Sequence, residues 1–131
     1  MIGLDTNVIV RYLTLDDSAQ APAAVELIRS FSLESQGFVS LVVLTELVWV
    51  LQDSYDFNKE QIARVVETLL RSRELLHERA DLVAQALRKF TAGSADFSDC
   101  LIERSGHAAE CEYTVTFDRK AVTGAGMILL K

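Results

Sequence analysis

Four acidic residues of this chain lie in settings where a lone carboxylate is unexpected. Asp5 follows the short apolar run Ile2–Leu4 in MIGLDTNVIV. Glu46 lies within LVVLTELVWVL, in which nine of eleven residues are apolar. Asp99 stands in ADFSDCLIERSGHA, and Asp118 ends the apolar stretch of YTVTFDRK. Because an unpaired buried carboxylate is expensive to desolvate, each of these acids is expected to need a partner.

A shared cation would provide that partner if the four carboxylates converged. Crowded anions repel one another, and some would take up protons unless a cation neutralised them. Mg²⁺ or Mn²⁺ suits carboxylate and water ligands, whereas Zn²⁺ prefers His and Cys. His77 and His107 do not form a ligand-spaced pair. A carboxylate-held ion can activate water for in-line displacement at phosphorus, which is nuclease or phosphatase chemistry.

Each acid also has a purely structural interpretation. Asp5 and Asp118 can be helix N-caps or turn residues. Asp96 can cap a helix with Asp99 three residues later, a pair that resembles a capping box, and acids suit a helix N-terminus. Taken alone, that pair is better explained by capping. Glu46 can be exposed at the mouth of a cleft.

Strands alternate with helices in the predicted element order, which indicates the α/β class with a mostly parallel sheet. The predicted strands are 2–4, 37–40, 75–76, 113–117 and 127–130. The first predicted helix is capped by Thr6 or Asn7 and extends to about Leu13, and the second starts at Ser18. The third spans 41–51, the fourth is capped by Asn58, the fifth runs from about Leu82 and ends at Gly93, and the sixth spans 96–109.

In open α/β folds, ligands bind beyond the carboxyl ends of the strands. Asp5 ends the first predicted strand and Asp118 the fourth, so both are expected at one edge of the sheet. The helix over 41–51 is apolar all round and is expected to be buried. Glu46 would then need a partner inside the protein.

The 131 residues predict a single domain over 1–131, long enough to bury a core. No apolar run reaches the roughly 18–20 residues of a membrane helix, and the start lacks a basic signal-peptide region, so we expect no membrane partner and a cytoplasmic protein. Cys100 and Cys111 are expected to be two buried thiols.

A net charge of −6 argues against a nucleic-acid partner. Setting the four acids aside leaves 15 acidic against 13 basic residues, a balance of −2. Positive charges also follow the acidic motifs and could contact phosphates, although any one of them can equally be a solvated surface charge. These residues are Arg11, Arg104, Arg119 and Lys120.

The segments LDTNVIVRYL, LTELVWVL, DFSDCLIE and TVTFDRKA, in this order and spacing, resemble the four acidic motifs of the PIN domain. The resemblance covers essentially the whole chain, and the single-domain length is similar to that of VapC-type toxins of prokaryotic toxin–antitoxin pairs. It implies a three-layer fold with a central, mostly parallel sheet flanked by helices. It also implies a Mg²⁺- or Mn²⁺-dependent ribonuclease that is dimeric and is inhibited by a small cognate antitoxin.

Carried over by position, the resemblance implies four catalytic acids: Asp5, Glu46, Asp99 and Asp118. Three of them, Asp5, Asp99 and Asp118, are the expected metal ligands. The resemblance also implies supporting polar residues around the site, namely Thr6, Asn7 and Thr116. Asp96 is an additional acid that can act as a metal ligand or as a helix cap.

Three alternatives remain open. A haloacid-dehalogenase-like phosphatase uses a second Asp two residues after the first, where this chain has Asn7. A response-regulator receiver needs an acidic pair at the end of the first strand, but Asp16 and Asp17 come a helix later. A degenerate PIN domain could serve only to bind protein or RNA, although the presence of all four acids argues against loss of catalysis.

Overall fold

The computed structural model describes residues 1–131, which form seven helices and five strands. The strands are β1 (Ile2–Gly3), β2 (Gly37–Val39), β3 (Leu75–His77), β4 (Val115–Thr116) and β5 (Ile128–Leu129). The helices are α1 (Thr6–Thr14), α2 (Gln20–Arg29), α3 (Leu41–Tyr55), α4 (Lys59–Arg71), α5 (Ala80–Ala92), α6 (Phe97–Ala108) and α7 (Arg119–Ala125). None of these helices has both the length and the apolar character required to cross a membrane.

All strand pairs are parallel. One sheet has the order β1–β2–β3, and β4 pairs with β5 in a second sheet. Parallel neighbours require crossover connections, which the intervening helices supply. The predicted α/β class with a parallel sheet is therefore confirmed. Because β1 and β4 belong to separate hydrogen-bonded sheets, a common sheet edge for Asp5 and Asp118 stays a prediction.

The chain divides into two compact units. Unit 1 comprises 1–58 and 68–78, and unit 2 comprises 59–67 and 79–131. Unit 1 contains the three-stranded sheet with α1, α2 and α3, and its most buried side chains include Ile9, Val39, Leu44, Leu47 and Leu51. Unit 2 contains α5, α6, α7 and the two-stranded sheet, and its most buried side chains include Val83, Ala86, Phe97, Cys100 and Ala121. The single domain over 1–131 stays a prediction.

Helix α3 corrects one expectation from the sequence. Its inward face is buried through Leu44, Leu47, Val48 and Leu51. Its other face is open, because Val42 is 76% and Trp49 62% exposed. The helix is therefore not buried all round. Its apolar composition reflects a core face together with exposed apolar side chains on the other face.

The two cysteines lie in different environments. Cys100 is buried as predicted, but Cys111 is exposed, because it lies in the irregular segment after α6.

His77 is buried in β3, and its Nε2–H donates to the carbonyl oxygen of Leu69 at 3.0 Å. The other ring nitrogen, Nδ1, is buried without a hydrogen-bond partner. Burial lowers the pKa of His77, since the charged imidazolium loses its hydration.

Candidate active site

Asp5 is positioned by the end of β1 and the start of α1. Its backbone is extended, with φ −79° and ψ 158°, and its Oδ1 accepts a hydrogen bond from the N–H of Thr6 at 2.8 Å. The expectation that Thr6 or Asn7 caps this helix is therefore wrong, because the helix begins at Thr6 and Asp5 is the capping residue. Thr6 is buried and Asn7 is exposed. The exposed Asp5 carboxylate keeps its second oxygen available for a ligand.

Glu46 lies on the open face of α3. It is exposed, and the helical spacing of Val42, Glu46 and Trp49 puts the three side chains on one side of the helix. The expectation that Glu46 is enclosed by a buried helix is wrong for the reason given above. An exposed carboxylate in this position needs no protein partner and can meet a ligand from solvent.

Asp96 precedes α6 and has the backbone geometry of an N-cap, with φ −67° and ψ 155°. Its side chain makes no capping hydrogen bond. The predicted position at the helix start is correct, but the predicted capping by the carboxylate is not observed. The exposed carboxylate of Asp96 therefore acts here chiefly as a negative charge beside the first turn of α6, where Asp99 is located.

Asp99 is a predicted catalytic acid whose carboxyl has a shifted pKa. Partial burial raises the pKa of its carboxyl, and the negative charges of Asp96 and Asp118 raise it further. The fold of unit 2 thus brings three aspartates within electrostatic range of one another. Such a group repels itself when all members are ionised, and it favours a bound cation.

Asp118 is held at the start of α7 by two hydrogen bonds. Its Oδ1 accepts from the N–H of Lys120 at 2.9 Å, and its own N–H donates to Oγ1 of Thr116 at 3.0 Å. Thr116, which the sequence places in a supporting role, is therefore in direct contact with Asp118. The capping interpretation of Asp118 describes its geometry correctly, and one carboxylate oxygen remains outside the cap.

An ion-pair cluster in unit 2 was not recognised from the sequence. Nζ of Lys89, on α5, contacts Oε1 of Glu103, on α6, at 2.7 Å and donates to the carbonyl oxygen of Ala125 at 2.6 Å. Arg104 donates hydrogen bonds to both oxygens of the Glu103 carboxylate. The hydrogen bond from Arg104 and the contact with Lys89 lower the pKa of Glu103 to about 2. Lys89 thus joins the helix that carries Asp99 to the C-terminal end of α7.

The close packing at Gly124 was also not recognised from the sequence. A Cβ at this position of α7 would lie 2.3 Å from the backbone nitrogen of Ala95, so only glycine permits this approach. The contact fixes α7 against the segment that leads directly into Asp96. The sequence does contain a signal, because a glycine inside a helix commonly marks close packing.

The four predicted phosphate-contact residues fall into two groups. Arg11 is engaged with Asp16, at 3.3 Å, and with Gln20 and Tyr55, while Arg104 is held by Glu103. Arg119 and Lys120 are exposed at the start of α7. Of the four, this second pair has the freedom to meet an incoming phosphate.

The side chains near Asp99 determine which kind of cation could bind there. Within neither unit do three or more Asp, Glu, His or Cys side chains form a group arranged to hold a metal ion. The donors that surround Asp99 are all carboxylates, which is the ligand chemistry of Mg²⁺ or Mn²⁺. The donor chemistry of Asp96, Asp99 and Asp118 therefore fits a hard divalent ion.

Sequence comparison agrees with this combination of parallel sheet and acids. The chain belongs to the PIN domain family, whose model matches residues 2–123. The chain is similar to the VapC ribonuclease of Aquifex aeolicus (strain VF5), with 29% identity over 122 residues that cover 89% of this chain and 87% of that protein.

Proposed function

We propose that this chain is an endoribonuclease that hydrolyses RNA phosphodiester bonds with the help of Mg²⁺ or Mn²⁺. Its catalytic acids are Asp5, Glu46, Asp99 and Asp118, of which all but Glu46 hold the ion. The observation that carries the proposal is the placement of three aspartates of unit 2 at two helix starts, with Asp96 and Asp99 at the start of α6 and Asp118 at the start of α7. Besides burial, the charges of Asp96 and Asp118 both act on Asp99 and help to raise its pKa. Membership of the PIN family and similarity to a VapC ribonuclease support the reaction class.

When bound, the ion supplies Lewis-acid stabilisation of phosphate charge and a nucleophilic water. The residues of the chain orient and balance this chemistry. The carboxylates of Asp5 and Asp118 each accept one hydrogen bond from a backbone N–H, which orients the remaining oxygen of each. Glu46 offers an exposed carboxylate that can position water and accept its proton.

Supporting residues complete the proposed site. Thr116 holds the backbone of Asp118, and Thr6 supplies the N–H that orients Asp5. Asn7 is exposed one residue further along α1 and is proposed to contact the substrate or the water around the ion. Asp96 adds negative charge beside Asp99 and thereby strengthens its attraction for a cation.

We also propose that the protein acts as the toxin of a toxin–antitoxin pair, as a homodimer that a small antitoxin protein holds inactive. Two observations support this biological role: the similarity to a VapC ribonuclease and the exposed apolar side chains of Val42 and Trp49 on α3. Exposed apolar patches commonly mark protein interfaces. Light scattering tests the dimer, and a single-chain mass at high micromolar concentration would contradict it.

The reaction itself is tested by adding the purified protein to single-stranded RNA with Mg²⁺, with Mn²⁺ or with EDTA. Cleavage is expected with either metal and is expected to be lost in EDTA. Asp99→Asn should abolish most of the activity, because it removes a charged ligand at nearly constant volume. Asp81→Asn is the matched control, since Asp81 is an exposed aspartate paired with Arg79 at the start of another helix.

Two outcomes would contradict the proposal. One is full activity in EDTA, and the other is a near wild-type rate for Asp99→Asn at saturating Mg²⁺. If RNA is bound but not cleaved with any divalent metal, the chain is a binding module instead.

A further inference from the structure

The segment that leads to Asp118 presents an unusual apolar surface. Exposure alternates along residues 113–117, so Tyr113, Val115 and Phe117 are open while Thr114 and Thr116 are partly covered. Phe117 is 77% exposed and Tyr113 is 60% exposed. Covering an aromatic ring lowers its free energy relative to exposure in water, so two open rings on one segment suggest a surface that is covered when a ligand binds.

The neighbouring strand extends the same surface. Val115 pairs with Ile128 in the parallel β4–β5 sheet, and continuing that register places Leu130 beside Phe117. Ile128 and Leu130 are both exposed. The resulting aromatic face, defined by Tyr113, Val115, Phe117, Ile128 and Leu130, is one side of this small sheet.

Charged residues follow the aromatic face directly at Phe117, while Glu112 precedes it at Tyr113. Asp118, a proposed catalytic acid, follows Phe117 directly, and Arg119 and Lys120 come next; all three are exposed. A ligand that covers Phe117 would therefore lie beside both the reactive acid and two cations. The other pair of adjacent cations in the sequence, Arg88 and Lys89, includes a lysine that is ion-paired with Glu103.

This combination suits single-stranded RNA better than another protein. Bases stack on aromatic side chains of exposed sheets, and phosphates bind Arg and Lys without regard to sequence. Stacking requires bases that are not paired, so the face selects single strands. A purely apolar protein partner would account for Val115 and Ile128 but not for the adjacent cations.

We infer that Phe117 is a positioning residue on which an RNA base stacks, with Arg119 and Lys120 binding an adjacent phosphate, so that a single strand is placed next to Asp118. This inference rests on the proposed ribonuclease function. It assigns to the aromatic face a role in binding the RNA strand, which is separate from the role of the acidic motifs.

The test measures binding separately from cleavage. Trp49 is the single tryptophan of the chain, so a Trp49→Phe, Phe117→Trp double variant reports only on the face. In EDTA, its fluorescence should be quenched by a short single-stranded oligoribonucleotide. An abasic strand of the same length, which keeps the phosphates, should cause much less quenching. Light scattering on each variant records the oligomeric state.

Substitutions at Phe117 separate stacking from general apolar contact. Phe117→Ala and Phe117→Leu should each weaken oligonucleotide binding by about tenfold, whereas Phe117→Trp should keep it, because stacking needs a ring. Leu33→Ala, at an exposed leucine of unit 1, is the control for loss of apolar surface.

Several results would overturn the inference. These are full binding by Phe117→Leu, equal quenching by the abasic strand, or a lower molecular mass for Phe117→Ala. The last of these would identify the face as a contact between protein chains. Quenching without cleavage under any metal would refute the proposed function but would retain the binding role of the face.

Discussion

Lys89 and Glu103 form an ion pair of 2.7 Å that joins α5 to the helix carrying Asp99. Arg104 binds the same carboxylate, and the pKa of Glu103 falls to about 2 from a usual 4.5. The pair therefore belongs to the scaffold of the proposed site and not to its chemistry. Its loss should affect stability before it affects the reaction.

Glu103→Gln should lower the free energy of unfolding by about 1–3 kcal/mol near neutral pH, because charge-assisted hydrogen bonds are lost. Since the pKa of Glu103 is depressed in the folded state, its contribution is complete above about pH 4.5 and disappears as the pH falls towards 2. Denaturant-induced unfolding at a series of pH values over this range measures the free energy of unfolding. Glu112→Gln, at an exposed acid, is the control. Equal stability of Glu103→Gln and the wild type at pH 7 would refute this account of the pair.

Asp96 and Asp118 should respond differently to alanine. Asp118→Ala removes a capping hydrogen bond and should lower the free energy of unfolding by about 0.5–2 kcal/mol, whereas Asp96→Ala removes none and should leave the melting temperature nearly unchanged.

Asp96→Asn should retain most activity but need more Mg²⁺, because it removes charge beside Asp99. If Asp96→Asn is as inactive as Asp99→Asn while equally stable, Asp96 is itself a catalytic acid.

Without metal, Asp99→Asn should raise the melting temperature. The pKa of Asp99 is raised in the folded state, so keeping it ionised at neutral pH opposes folding, and the neutral amide removes that cost. The gain should shrink as the pH falls and wild-type Asp99 becomes protonated. Calorimetry in EDTA at two pH values measures both effects. A lower melting temperature for the variant would show that the Asp99 charge is already compensated by the protein.

His77 should make the protein less stable in mild acid. Its pKa is lowered by burial, so below about pH 6.5 the His77 imidazole binds a proton in the unfolded chain but stays neutral in the folded chain. Stability should therefore fall as the pH drops below that value, until the lower folded pKa is reached. Titration of the imidazole by NMR tests the cause directly. A folded-state pKa at or above the ordinary value would contradict it.

The sequence predicted the parts of this protein that depend on local pattern. Alternating strands and helices, the position of Asp5 after β1 and the start of α6 at Asp96 follow from apolar runs and helix-start residues. The same patterns could not distinguish the buried from the open face of α3, because Val42 and Trp49 are as apolar as its core residues. The exposure of Glu46 therefore had to come from tertiary structure.

Other features depend on contacts between residues far apart in the chain. Helix α7 was not predicted, because RKAVTGA is short and contains a glycine. The fit of Gly124 against Ala95 explains why a glycine belongs there, at the cost of local helix propensity. The link between Lys89 and Glu103, fourteen residues apart, likewise required the packed helices.

The central claim is that water, activated at a carboxylate-held metal ion, cleaves RNA. The most direct measurement is the chemistry of the product ends after incubation of single-stranded RNA with Mg²⁺, compared with the same reaction in EDTA. Hydrolysis by this route should leave a 5′-phosphate and a 3′-hydroxyl, and only when metal is present. Products that carry a 2′,3′-cyclic phosphate, or cleavage that persists in EDTA, would contradict the account.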